Sequence, residues 1–168
     1  MDQTDRAFQA ADLRTAANAF GELADRYCRF VEGMARLEPA ERAAGALCLL
    51  SELLAAATKL PAHVAPTEVE AVRVEAPPCD LGGFDCYYEV FDPYVRDDIV
   101  IGSLSDDLAD VYVDLREGLD LLNNNHVADA VWQWRFGHAH SWGDHAADSI
   151  RALHRVITGR ARELSREP

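Results

Sequence analysis

Along the chain, apolar residues return every three or four positions in several long runs, the spacing that lines one face of an α-helix. In the first run, Phe20, Leu23, Ala24, Tyr27, Phe30, Val31 and Met34 recur at that spacing between Phe8 and Leu37. Glu38-Pro39 ends it, because the residue before a proline is driven out of the helical region. Pro39, whose fixed φ suits a first helical turn, then opens a second helix with Leu47, Leu50, Leu54 and Ala57 on one face, closed by Leu60-Pro61. So short a join predicts two antiparallel neighbours. A third helix starts from a cap at Ser103 or Ser105, with Asp106 and Asp107 set favourably against the positive end of its dipole. Leu104, Leu108, Val111, Leu115, Leu119 and Leu122 step along it until Asn123-Asn124-Asn125 stops it. The last run, from about His126 to Arg162, reads as one long fourth helix with Gly137 and Gly143 as candidate kinks.

Between residues 61 and 102 the pattern changes. Five of the seven prolines (positions 61, 66, 77, 78 and 93) lie there, with Gly82-Gly83 and a β-prone stretch from Phe84 to Phe91. A connection of that length in a compact domain is usually a functional lid or a mobile segment. Its aromatic residues, Phe84, Tyr87, Tyr88, Phe91 and Tyr94, predict that it docks on the body, with room for a short hairpin. The expected architecture is all-α: a bundle of about four main helices in which residues 1–168 form one domain. Residues 1–18 form an N-terminal extension free to fray, and residues 61–102 an irregular docked excursion between helices two and three.

Composition changes this picture mainly by excluding partners. The 29 acidic residues against 16 basic ones give a formal charge of -13, which repels nucleic-acid phosphates and anionic lipid head groups. Neither nucleic acid nor membrane is expected as a partner, whereas another protein or a second copy of the chain is. No apolar run is long enough for a membrane span, since Ser51, Glu52 and Lys59 interrupt the richest stretch, Ala43 to Leu60. The residues after Met1 lack the apolar core of a secretory signal. Cys28, Cys48, Cys79 and Cys86 show no C-x-x-C spacing and predict reduced thiols in the cytoplasm. Cys28 and Cys48 read as small core residues, while Cys79 and Cys86, in the Pro/Gly-rich segment, are the pair for which a redox or half-metal role is conceivable.

At about 100° per residue, Asp107, Asp110, Asp114 and Glu117 form a stripe on helix three at the edge of its leucine face. Such carboxylates either converge on a neighbouring helix, as in bundle metal sites, or form a solvated acidic face. On helix four, His138 and His145 are seven residues apart and share a face with Val131, Trp134, Trp142 and Ser149, which predicts both rings inward. Trp132, Phe136, Ile150 and His154 fill an adjacent arc, which makes this the doubly buried central helix. A buried imidazole needs partners for both nitrogens, and the aspartate stripe can supply them. The pairing is then a structural tie, a poised acid–base pair, or a site for Mn, Fe or Zn with Asp107, Asp110, Asp114, His138 and His145 as ligands. The chain has no H-E-x-x-H, no Gly-rich phosphate loop and no G-x-S-x-G elbow, so no reaction class is indicated. Trp132, Trp134 and Trp142 read as core anchors, and Arg135 as an ion-pair partner for the stripe.

Four segments carry a family resemblance: LLAAATKLP (Leu53 to Pro61), YYEVFDP (Tyr87 to Pro93), GSLSDDLADVYVDLREGL (Gly102 to Leu119), and AVWQWRF with SWGDHAADSIRALH between Ala130 and His154. Together they resemble an uncharacterised bacterial domain-of-unknown-function family, number five-zero-six-three. The resemblance implies a bacterial, cytosolic, helical domain and transfers no activity, cofactor or catalytic residue. It also implies a histidine directly before the Trp-Gly pair, where this chain has Ser141 with His140 one residue earlier; His145 keeps its place.

Function therefore stays open between three classes. The favoured one is a helical interaction or small regulatory module. The second is a metal-dependent enzyme or metal-binding protein built on the aspartate stripe with His138 and His145, residues 61–102 acting as its lid. The third is a small-molecule sensor lined by Tyr87, Tyr88, Trp134 and Trp142.

Overall fold

The computed structural model describes residues 3–62, 67, 69, 72–90, 92–96 and 98–161, with side chains from residue 11 onward. Among them five α-helices and one hairpin follow in the order α1 (Gln3–Gly33), α2 (Pro39–Ala57), β1 (Cys86–Val90), β2 (Ile99–Ser103), α3 (Leu104–Asn123), α4 (Val127–His140) and α5 (Trp142–Ile157). The predicted helical bundle is correct, and the hairpin is present as an antiparallel pair with Tyr88 opposite Ile101. Residues 3–18, read as an extension, are continuous with α1, where Leu13 and Ala17 pack on the core. Phe91, Pro66 and Arg162 lie outside the described residues.

Helix boundaries follow the expected chemistry. At the start of α2, Pro39 takes the first turn and the Glu41 carboxylate accepts the Glu38 N–H at 3.0 Å, closing the end with a local partner. Ser103 caps α3 by accepting from the Asp106 N–H at 3.3 Å. Asp85 reinforces it, accepting from the Ser105 N–H at 2.8 Å while its own carbonyl takes the Leu104 N–H. At the other end, Asn125 adopts φ 67°, and the His126 N–H reaches back to the Leu121 carbonyl at 2.9 Å.

Two expectations are corrected. The run from His126 is two helices, because Ser141 leaves the helical region with φ -152° and ψ -98°. At this corner the Gly143 α-carbon lies so near α4 that a β-carbon there would sit 1.9 Å from the His138 carbonyl oxygen, which explains a glycine after Trp142. The central helix is α3, packed between α1, α4 and α5, and the expected second buried arc is largely open: Phe136 is 49% exposed and stacks on Trp132, and His154 is exposed.

Trp134 and Trp142 are fully buried beside Phe20, as core anchors should be. Their indole N–H groups donate to the Leu115 and Trp134 carbonyls at 3.2 and 2.9 Å. Arg135 donates to the Leu60 carbonyl rather than to the aspartate stripe, tying α4 to the end of α2. Within the segment between α2 and β1, Cys79 and Leu81 are buried in the core, and Arg42 of α2 donates to the Asp80 carbonyl at 2.7 Å. Cys28 is a core residue whose thiol burial pushes up to about 12, but Cys48, expected beside it, is exposed. Cys79 and Cys86 are free thiols, one buried and one exposed. No helix among the described residues is long and apolar enough to cross a membrane.

Candidate functional site

The hairpin meets the bundle at one buried carboxylate. Asp107, in the first turn of α3, is 6% exposed and accepts three hydrogen bonds from two other elements. The Tyr87 hydroxyl of β1 donates at 2.6 Å, His145 Nδ1 of α5 at 2.9 Å and the Ser149 hydroxyl of α5 at 3.3 Å. A buried carboxylate is tolerated only with such donors around it. Tyr87 reaches this position because strand alternation turns residues 87 and 89 toward the body, and because Gly102 opposite leaves room for the ring. A β-carbon there would lie 2.6 Å from Tyr87 Cζ. Burial, then the Asp107 hydrogen bond, pushes the Tyr87 phenol well above its ordinary value, so it stays a donor.

His145 is held on both sides. Its Nδ1 faces Asp107, and its Nε2 lies 3.5 Å from Asp110 Oδ2, whose side chain is largely in solvent. The Asp107 hydrogen bond, with the charges of Asp107, Asp110 and Asp114, raises the ring's pKa against the opposing effect of burial. The imidazolium is therefore the favoured partner of this acid-rich surface. Beside it a small cleft of about 160 Å³ is lined by Glu89, His140, Ser141, Asp144 and Asp148. Burial and the facing Asp148 carboxylate raise Glu89.

The five predicted site residues thus divide. Asp107, Asp110 and His145 come together; Asp114 turns toward α4, where its Oδ2 is buried near Gly137 without a hydrogen-bond partner among the described residues. His138 packs its ring on Trp142 at 5.1 Å, and burial followed by the nearby Arg135 charge lowers its pKa. The seven-residue spacing of the two histidines lost its meaning at Ser141, since the break resets the helical phase. Glu117, the last of the stripe, accepts from the Gln133 amide at 2.9 Å. Among the described residues no group of three or more His, Cys, Asp or Glu side chains is arranged to hold a metal ion. Sequence reasoning did not single out Asp85, Glu89 or Asp148. Asp85 alone left a signal, as an acid in a turn before a strand.

The opposite face of the hairpin carries no such ties. Tyr88, Ile99 and Ile101, which alternate away from Tyr87, are 55%, 69% and 67% exposed. Each strand pairs only with the other, so no further strand joins either edge among the described residues, while the Tyr88 carbonyl of β1 accepts from Arg151 of α5. The β2 sequence, Ile99-Val100-Ile101-Gly102-Ser103, contains no charge or proline to guard its edge.

Comparison with known proteins agrees with this fold. A solved structure, protein BF1032 from Bacteroides fragilis, superposes with a TM-score of 0.65 at 20% sequence identity, covering 82% of this chain and 89% of that one. At that identity the likeness shows the fold. No curated protein matches the sequence. Residues 80–158, which supply every member of the Asp107 cluster and the whole hairpin, match the model of the family described as Domain of unknown function (DUF5063), the family to which the sequence motifs pointed.

Proposed function

We infer that this chain is an interaction module whose contact surface is the outer face and β2 edge of the hairpin. The observation that carries the reading is the exposure of Tyr88, Ile99 and Ile101 together on one face of an unguarded two-stranded sheet. Contiguous exposed apolar surface marks interaction sites, and an unpaired edge accepts a further strand from a partner. A two-stranded hairpin is marginal by itself, so the Asp107 cluster holds it against the bundle in a form ready for docking. The partner is a protein segment that adds a strand at β2, a second copy of the chain being one such source. A reducing cytoplasmic setting suits the four free thiols, two of them exposed. Ile101→Lys should abolish association with an identified partner while melting is unchanged. A wild-type chain that neither self-associates nor holds any protein partner, or partners retained by Ile101→Lys, would overturn the reading.

A second reading rests on the Asp107–His145 hydrogen bond, which orients the ring as in carboxylate–histidine pairs that act as acid–base catalysts or metal ligands. It requires that Zn or Mn, titrated into the purified chain, bind stoichiometrically, or that turnover of a substrate be found, and that His145→Gln remove either one. Absence of both in the wild type would dismiss it.

A further inference from the structure

We propose that the cleft between β1 and the last turns of α5 is a binding site for a small amphipathic monocarboxylate, an acid group on an apolar or aromatic body. The cleft has a volume of about 340 Å³, at the lower end of small-molecule sites. Phe84, Leu104, Ala152 and Val156 contribute apolar wall, against which a ligand body gains free energy by leaving water. Arg151 and Arg155 stand at the same cleft, both exposed, in a chain whose formal charge is -13. Arg151 donates one N–H to the Tyr88 carbonyl at 2.9 Å, which fixes its stem along β1 and leaves its other donors available. Arg155 has no side-chain partner among the described residues, although carboxylates outnumber cations in this protein. A cation in the last turn of a helix offsets the helix dipole, which accounts for Arg155 but not for Arg151 more than a turn earlier. Two guanidinium groups on the lining of one cleft are more positive charge than dipole compensation at a helix end requires. Arginine's planar fork matches a carboxylate through paired N–H donors.

The site shares Tyr88 with the docking face but not Ile101, so a change at Ile101 tests the docking role of β2 without touching the cleft lining. The test titrates octanoate, 3-phenylpropionate, octanol and octylammonium into the full chain and follows backbone amide NMR shifts. At least one of the two acids should shift the Phe84, Ala152 and Val156 amides saturably at one per chain. Octanol should bind about tenfold or more weakly and octylammonium not measurably. Arg155→Gln, a surface change, should weaken the acid about tenfold and leave octanol unaltered. Ala152→Leu should fill the cleft and remove both, and Ile101→Lys should bind as wild type. Absence of saturable shifts with both acids, equal affinity for acid, alcohol and amine, or wild-type binding by Arg155→Gln would overturn the proposal.

Discussion

Asp107→Ala removes the acceptor that joins the hairpin to α5, and the structure sets the size of the loss. A hydrogen bond to a charged acceptor contributes about 1.5–3 kcal/mol net, and the 2.6 Å bond from Tyr87 is the shortest of the three. The His145 bond comes from a side chain 37% exposed, so solvent screening reduces it to about 1 kcal/mol or less. The Ser149 bond is long, but this hydroxyl is fully buried and would be left unpaired, at about 1 kcal/mol. Relief of the carboxylate's own burial offsets part of the sum, which leaves about 2–4 kcal/mol. For a chain of this size that corresponds to a fall in Tm of roughly 4–16 °C. Urea unfolding gives the global figure, and amide hydrogen exchange shows where it acts: β1 and β2 should lose protection far more than α1 and α2. A loss below about 1 kcal/mol, or unchanged exchange in the hairpin, would refute the idea that Asp107 holds it.

Other variants separate the same contacts. Tyr87→Phe and Gly102→Ala should each cost about 1.5–3 kcal/mol and combine less than additively, because both break the Tyr87–Asp107 bond, the second by displacing the ring; a double-mutant cycle measures this. Asp114→Ala should change stability by less than about 1 kcal/mol in urea unfolding, since its Oδ2 has no donor to lose. Gly143→Ala should cost about 3 kcal/mol or more by the same measurement, as its β-carbon meets the His138 backbone carbonyl. His145→Gln carries a pH signature. Because the folded protein raises the pKa of His145, its stabilising contribution is complete below the unfolded value of about 6.5 and is lost as pH rises through the higher folded value. The gap between wild type and His145→Gln in urea unfolding should therefore narrow from about pH 6 to pH 9; a gap that widens would contradict the assignment.

Much of this fold was written in local pattern. Helix starts at Pro39 and Ser103, the asparagine stop after Asn123 and the leucine face of α3 all depend on neighbours within one or two turns, so sequence spacing reported them. The corner at Ser141 was hidden because the apolar period continues through it, and only the contact between Gly143 and the His138 carbonyl shows that the phase has been reset. That single break explains why His145 reaches the stripe and His138 does not. The Asp107–His145 pairing was legible, as an inward histidine beside an acid stripe. Tyr87 and Ser149 as its companions were not, since they arrive by tertiary packing of the hairpin and α5. Cys48 shows the same limit: its neighbours on α2 are core residues, and one step around the helix placed it in solvent.

The proposed docking role of the hairpin is tested by photocrosslinking in cells, with a photoreactive phenylalanine analogue replacing Ile101 and, as a control, the exposed Ala44 of α2. A hairpin that docks should give a discrete crosslinked species from position 101, identifiable by mass spectrometry as one protein or as a second copy of the chain, absent from position 44 and lost when Tyr88→Lys is added. The same diffuse background from both positions, or a product indifferent to Tyr88→Lys, would contradict it.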